Sequence, residues 1–321
     1  MDENPSCPAC RASDWEPFAK RVYRAADLAG LTPSRRLMMS VLFEKWRPGA
    51  ERVELTLQGC RRCGMMIYAP RPSEADIEAK YRFLNAALED ATPSKEEEPA
   101  RRRQRSNRLF ALVRPHLGKP MDQLRVLDFG GGDGRLMARF VEGGARCDLV
   151  DYTSRPVPGV TKIGDDQAAL GPGRRYDLII CSHVVEHLAA PMDVLSRLRE
   201  HLADDGVIYV EVPMEVYRDL PIKSDPVTHV NFFTPGSLRT LLGASGFGVK
   251  SSRLNYYPHP KGGWKLAVGA IAGADGGGAE PGDAKAGSGG LRELRALLRP
   301  SPLTKLAVKA DKLRDKLRYR A

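Results

Sequence analysis

The sequence predicts an α/β fold in which a mostly parallel sheet carries helices on both faces, preceded by a small cysteine-bearing segment. Three observations lead there. An apolar run, Leu124–Phe129, enters the glycine cluster Gly130-Gly131-Gly132-Asp133-Gly134, and an amphipathic stretch, Arg135 to Val141, follows at once. Short apolar runs and helical stretches then alternate as far as residue 212, the pattern of βαβ units whose strands are buried on both faces. Upstream, two Cys-x-x-Cys pairs stand apart from this pattern.

The first run reads as a buried strand, a tight turn and a helix whose free N–H groups face the turn. Asp128 sits where the strand ends. Arg146–Asp151 is a second strand ending in an acid, 23 residues after Asp128, where a dinucleotide-type fold places a carboxylate on a ribose. Val160–Ile163 is a weak third strand, followed by Asp165 and Asp166. Tyr176–Cys181 is a strong fourth. A helix spans Pro191–Leu202, and Gly206–Val212 is a fifth strand stopped by Pro213. Val216–Val230 is a polar, proline-bearing insertion of the kind that shapes a substrate pocket. Thr234–Gly243 is a helix with Pro235 at its first position, and Phe247–Leu254 with Trp264–Ile271 form an antiparallel pair at the sheet's edge.

Length and composition bound the rest. A chain of 321 residues with 42% apolar content buries one main core plus appendages. No run of about 18 apolar residues is present, so no membrane span is expected. The N-terminus lacks the basic and apolar regions of a signal peptide, so the expected compartment is the cytoplasm and the six cysteines are expected reduced or metal-bound. The net charge of +10 lies mostly in residues 291–321, which carry ten Lys/Arg against three Asp/Glu. That tail has two leucine stripes, Leu291/Leu294/Leu298 and Leu303/Leu306/Leu313/Leu317. It could lie on the inner membrane face, pair as a short coiled coil, contact nucleic acid, or pack on its own domain.

The domain organisation read from these boundaries is a zinc-knuckle segment at 1–72, a helical linker at 73–121, the sheet domain at 122–271, a flexible linker at 272–290 and a basic amphipathic helical tail at 291–321. Cys7, Cys10, Cys60 and Cys63 have the spacing that lets two thiolates of each pair reach one tetrahedral ion, a closed structural zinc site. The 49-residue spacer is longer than in a usual ribbon and should hold a helix near Leu37–Trp46 and a strand at Val53–Leu57. Ser73 caps a helix running to about Leu88. Ala91–Arg105, a block of acids then bases, reads as a solvated linker, with a further helix over Ser106–His116.

The glycine cluster fails the nicotinamide-cofactor fingerprint. Gly-x-Gly-x-x-Gly started at Gly130 ends on Arg135, and started at Gly132 it ends on Met137. What is present is Asp128-x-Gly130-x-Gly132-x-Gly134, which resembles motif I of the class I S-adenosylmethionine-dependent methyltransferases. Tyr176–Leu188, Leu202–Pro213 and His229–Leu238 resemble the fourth strand with its turn, the fifth strand and the next helix start of the ubiquinone-type and zinc-knuckle methyltransferases, which include sugar methyltransferases. Cys60-x-x-Cys63-Gly64 running into Pro70-Arg71-Pro72 resembles the zinc-knuckle leader of the same group.

The resemblance implies a Rossmann-like seven-stranded methyltransferase sheet, S-adenosylmethionine as cofactor and structural Zn(2+). Asp128, Gly130, Gly132 and Gly134 would cradle the methionine-like head group, and Asp151 would hold the ribose hydroxyls. Asp165 or Asp166 would reach the adenine amine, and Ser182 or His183 would line the sulfonium side. Methyl transfer needs a base for the acceptor; the candidates are His187, Glu186 and His229, with Tyr217 more remote. His183-Val-Val-Glu186-His187 also spells a zinc-hydrolase signature, but that chemistry needs the pentapeptide inside a helix, and here it follows a strand. The expected activity is O- or C-methylation of a small molecule or sugar-containing intermediate. The absence of a second large domain weighs against the sugar C-methylating subgroup. Two other readings stand beside it. An RNA base methyltransferase is disfavoured by the Cys181-Ser182-His183-Val184 turn and by knuckles without stacking aromatics, and a non-catalytic cofactor-binding regulator makes a different class.

Overall fold

The computed structural model describes residues 1–88, 99–152, 155–223, 225–258, 264–274 and 289–318. The N-terminal segment is built from β1 (Trp15–Arg24), α1 (Pro33–Val41), which continues as a π-turn over Leu42–Trp46, β2 (Arg52–Cys60) and β3 (Met66–Ala69). The strands form an antiparallel sheet in the order β1-β2-β3. Two helices follow, α2 (Glu74–Leu88) and α3 (Pro99–Val113). The main sheet then begins with β4 (Arg125–Phe129), α4 (Ala138–Glu142), β5 (Arg146–Val150), β6 (Val160–Gly164), β7 (Tyr176–Ser182) and α5 (Pro191–Glu200). It is completed by β8 (Leu202–Pro213), α6 (Pro235–Ala244), β9 (Gly248–Pro258) and β10 (Trp264–Gly273), with α7 (Gly289–Leu298) and α8 (Pro302–Arg318) after it.

The seven strands run β6-β5-β4-β7-β8-β10-β9. Neighbours from β6 to β8 are parallel, and β10 is antiparallel to both β8 and β9. From β4 the chain works outward through β5 to β6, then returns to the other side of β4 with β7. The crevice outside the carboxyl ends of β4 and β7 is therefore the switch point where such sheets bind ligands. Burial follows from position: β7, in the middle, is buried from Tyr176 to Cys181 and only Ser182, at its open end, is partly exposed. The expected strand–helix alternation and terminal antiparallel pair are present. Each strand near the switch point delivers one acid or hydroxyl to the crevice.

Local chemistry sets the element ends. Thr234 caps α6 through a capping box with Ser237 and Pro235 fills the first turn. Ser73 and Asp76 bond reciprocally at the start of α2. Several sequence expectations are corrected. α1 starts at Pro33, not Leu37. The solvated linker expected over 91–105 is helix from Pro99 onward, and the acid block 89–98 lies outside the described residues. Leu109 and Val113 of α3 are buried against the sheet in one cluster with Val126 and Phe140, which supplies the apolar anchor that holds a strongly basic helix in place. β1 was not expected because it lacks alternating burial: it is an edge strand, with Pro17 at a register shift.

The tail divides. α7 buries Leu291, Leu294 and Leu297, and its Glu293 accepts the Gly236 N–H at the start of α6. α8 turns Asp315 inward, where it accepts the N–H of Tyr256 on the edge strand, while Leu303, Leu306, Leu313 and Leu317 stay exposed. No described helix is long and apolar enough to cross a membrane.

The N-terminal segment is locked onto the main sheet's loops. Met66 and Phe232 exchange both backbone bonds at 2.9 Å. Arg71 is buried, and its guanidinium donates to the carbonyls of Val230 (2.8 Å), Leu188 (3.2 Å) and Ala189 (2.8 Å). Lys80, also buried, donates to the Val227 carbonyl at 3.2 Å. Replacing Arg71 with Met leaves three buried carbonyls without this donor and should cost about 2–4 kcal/mol. Chemical denaturation checks this, and a loss below about 0.5 kcal/mol would show that these bonds hold nothing.

Candidate active site and zinc cluster

Cys7, Cys10, Cys60 and Cys63 meet in one buried cluster with all four sulfurs within 4.8 Å of one another. Cys7 Sγ lies 3.5 Å from Cys63 Sγ, and Cys10 Sγ lies 3.5 Å from Cys60 Sγ. A tetrahedral thiolate site with Zn–S of about 2.3 Å sets its sulfurs about 3.8 Å apart, so the cluster fits zinc. Gly64, with φ +78°, turns the chain after the second knuckle, where the Gly290 backbone packs so closely that a side chain would overlap it.

In the crevice, Asp128 is fully buried at the end of β4, and neither carboxylate oxygen has a hydrogen-bond partner. Burial above all, then the charge of Asp151, pushes its pKa up to about 7 against the pull of Arg105. Gly131 lies directly over this carboxylate, leaving no room for a side chain. Gly132 adopts φ +61° with open space where a side chain would stand, and its N–H donates to Asp151 Oδ2 at 2.8 Å. An orphaned buried acid beside an open glycine turn, with a second acid at the end of β5, suits a ligand with an ammonium at one end and hydroxyl donors beyond it. Asp165 and Asp166 are differently placed. Asp165 pairs with Lys162 on the surface at 2.7 Å, and Asp166 caps the turn at Ala168 at 2.7 Å.

On the other side of the switch point stands a cluster of imidazoles and carboxylates. His183, just past β7, has φ +59°, an uncommon backbone for a non-glycine residue. That twist sets its ring between two buried acids, with Nδ1 3.3 Å from Glu186 Oε1 and Nε2 3.7 Å from Glu211 Oε1. Ser182 Oγ reaches Glu211 Oε1 at 3.5 Å. Glu186 is buried and neither oxygen has a hydrogen-bond partner. Burial disfavours its charge, but the His183 contact and the charges of the three histidines outweigh this and lower its pKa. His187 Nδ1 lies 2.7 Å from the Thr228 carbonyl. A carbonyl can only accept, so Nδ1 carries the proton and Nε2 keeps its lone pair. Burial, against the attraction of Glu186, lowers the His187 pKa to about 4. His229 Nδ1 meets Glu215 Oε2 at 2.7 Å. Burial opposes a charge there, but the Glu215 bond and charge prevail and raise its pKa. The His187 and His229 rings sit edge to face, 4.8 Å between centroids.

Four residues that sequence reasoning left without a role belong to this wall. Glu211, buried on β8, accepts from Tyr209 (2.7 Å) and Asn255 (3.2 Å) and faces Arg108 at 3.6 Å. Arg105 stacks over Tyr257 at 5.4 Å. Asn231 donates to the carbonyls of Val185 (2.7 Å) and Leu188 (2.8 Å), holding the turn that carries Glu186. The one signal available was Glu211, a charge inside the run Val-Ile-Tyr-Val-Glu-Val. Asp177 is structural, paired with Lys119 and the Arg125 N–H. Tyr217 packs with the hydrophobic core.

Residues 101–252 match a family described as a methyltransferase domain. That match and the β6-β5-β4-β7-β8-β10-β9 sheet make this region a methyltransferase domain of the class I S-adenosylmethionine-dependent type. A ubiquinone biosynthesis O-methyltransferase of Azorhizobium caulinodans is 25% identical over 178 residues, 47% of this chain and 69% of that protein. One from Cereibacter sphaeroides is 31% identical over 102 residues, 28% of this chain and 41% of that protein. Among solved structures, the Burkholderia thailandensis 1,6-didemethyltoxoflavin-N1-methyltransferase is 23% identical with a TM-score of 0.49, covering 68% of this chain and 95% of that one.

Two outcomes are expected. Chain purified without chelator should contain one zinc at the four cysteines, lost in Cys60→Ser; metal analysis that finds none removes the zinc assignment. Asp128 has a folded pKa above its unfolded value of about 3.9, so its contribution to stability is present below pH 4 and fades as pH rises through 7. Relative to Asp128→Asn, the unliganded protein should therefore lose on the order of 2–4 kcal/mol between pH 4 and pH 8. A difference in unfolding free energy that does not change with pH would contradict the buried, strained state of this acid.

Proposed function

We propose that this chain transfers a methyl group from S-adenosylmethionine to a hydroxyl of a small or sugar-containing molecule. The observation that carries the reading is the Glu186–His187–His229 cluster, which stands across the switch point from the orphaned Asp128 carboxylate and the glycine turn. Asp128, Gly130, Gly132 and Gly134 hold the amino-acid end of the cofactor, and Asp151 takes the ribose hydroxyls. Asp165 and Asp166 reach the adenine side by giving up their local partners, and Ser182 and His183 border the sulfonium. Bound there, the cofactor supplies a methyl group already activated for in-line displacement.

The protein's own work is to orient the acceptor and take its proton. His187, with Nδ1 anchored on Thr228, presents a neutral Nε2; His229, backed by Glu215, is the more basic imidazole; Glu186 holds the negative charge between them. A hydroxyl acceptor is favoured over carbon by this set of imidazoles and by the O-methyltransferase names of the relatives. In this reading segment 1–72 buttresses the acceptor-side loops, 73–121 covers the crevice and 122–271 holds the chemistry.

The test incubates the chain with methyl-labelled cofactor and fractionated cell extract, then follows the fraction that takes up label. His187→Ala, Glu186→Gln and His229→Ala should each cut turnover about 100-fold or more while binding of S-adenosylhomocysteine persists. Unchanged turnover in all three would remove the cluster from the chemistry.

A further inference from the structure

An amphipathic helix at a protein surface ordinarily turns its apolar stripe toward the core. α8 does the reverse. Leu303, Leu306, Ala310, Leu313 and Leu317 recur at spacings of three and four, which puts them on one helix face. The four leucines are 59–78% exposed. The opposite face is the one that packs, through the buried Val308 and Asp315. Asp315 Oδ2 accepts the Tyr256 N–H at 2.8 Å, and the Lys312 ammonium stands 5.5 Å from the centre of the Tyr256 ring. Because β9 is the sheet's edge, this carboxylate satisfies an N–H on the side where no further strand pairs. The helix is thereby held by its more polar side, and its leucines face solvent.

Charge decides what covers such a stripe. α8 carries six Lys/Arg against two Asp. Asp315 is engaged inside the fold, and Asp311 is paired with Arg314 at 2.8 Å. Lys305 and Lys309 are exposed beside the leucines, and neither has a side-chain partner among the described residues. A second copy of α8 would pack stripe against stripe. The charged positions bordering that seam, Lys309, Arg314 and Lys316, are all basic, so two copies would set like charges side by side in either orientation. A nucleic acid would engage the lysines and leave the leucines in water. An anionic bilayer answers both halves, with hydrocarbon for the leucines and negative headgroups for the lysines, whose stems can lie along the boundary between them.

We propose that α8 binds the surface of an anionic lipid membrane, lying along it with Leu303, Leu306, Leu313 and Leu317 at the acyl boundary and Lys305 and Lys309 among the headgroups. At about 1.5 Å per residue, its 17 residues lay about 25 Å of helix on the surface. The helix lies on the bilayer and does not cross it. This goes beyond the methyltransferase reading and does not depend on it, because α8 follows the matched region, which ends at residue 252. Since Asp315 ties α8 to β9, the main sheet takes a set orientation to the membrane.

The full chain is sedimented at low salt with vesicles of phosphatidylcholine alone and with vesicles of equal parts phosphatidylcholine and phosphatidylglycerol. It should pellet with the second and stay in solution with the first, and added salt should release much of it. Leu306→Ser combined with Leu313→Ser, which leaves the charge unchanged, should weaken binding to the anionic vesicles about 10-fold or more. Lys305→Ala and Lys309→Ala should each weaken it about 5-fold. The zinc content of these variants should equal that of the parent chain, which shows that the fold is kept. No sedimentation with the anionic vesicles, equal sedimentation with the neutral ones, or unchanged binding in the double serine variant overturns the proposal. A dimer in lipid-free solution that the two serines dissociate also overturns it, because the stripe is then covered by a second copy.

Discussion

The buried guanidinium of Arg71 is the contact on which the architecture of the candidate site rests. It donates to three carbonyls on two separate loops, Leu188 and Ala189 after β7 and Val230 before α6. Those loops carry Glu186, His187 and His229. Loop backbone buried away from water needs donors, and a planar group with five N–H bonds in a fixed fork can serve carbonyls of two loops at once. Burial lowers the Arg71 pKa to about 10, with the charges of Cys7 and Asp2 opposing the fall. The group therefore keeps its charge at neutral pH. Its own position is fixed by Asp2 and Arg71 exchanging backbone bonds and by the Met66–Phe232 bridge.

A second constraint is electrostatic. Asp128, Glu186 and Glu211 are all buried around the switch point. Glu211 is answered by Arg108, His183, Arg105 and the Tyr209 hydroxyl, which overcome burial and lower its pKa. Asp128 has no such set, and its raised pKa measures the deficit. Proteins retain such unbalanced acids where a ligand supplies the missing charge, at the expense of stability in the free state. The crevice is thus divided into positions whose charges are already answered, Glu211 by arginines and His183 and Glu186 by the three histidines, and one, Asp128, that is not. Asp128 faces the glycine turn.

The sheet was legible because its rules are local. A central parallel strand must be apolar on both faces, and a glycine turn followed by an amphipathic stretch has few alternatives, so Leu124–Val141 and Tyr176–Cys181 announced themselves. The knuckle spacing likewise placed all four cysteines. What escaped depends on non-local geometry. Arg105 and Arg108 lie in a basic block whose composition matches a solvated linker, and only the burial of Leu109 and Val113 on the sheet turns their face into the crevice. Arg71 sits between two prolines with no pattern to mark it, because its partners are backbone carbonyls more than a hundred residues away. The acids after β6 show the opposite relation. Asp165 and Asp166 were conspicuous in sequence, yet a lysine three residues earlier and a turn two residues later engage them locally.

The boundary of the family match follows the same division. It begins at residue 101, so it includes α3, the glycine turn and the imidazole cluster, but neither Arg71, Lys80 nor the cysteines. The glycine turn and the imidazole cluster therefore lie within the matched region, while Arg71 and Lys80, which hold the loops around that cluster, come from the segment ahead of it. Two of those holders, Arg71 and Lys80, act on carbonyls at 188–189 and 227–230, the two ends of the region framing His187 and His229. Substitutions of Arg71 or Lys80 would then move the loops that carry His187 and His229 while leaving the glycine turn, which is fixed by the sheet, in place.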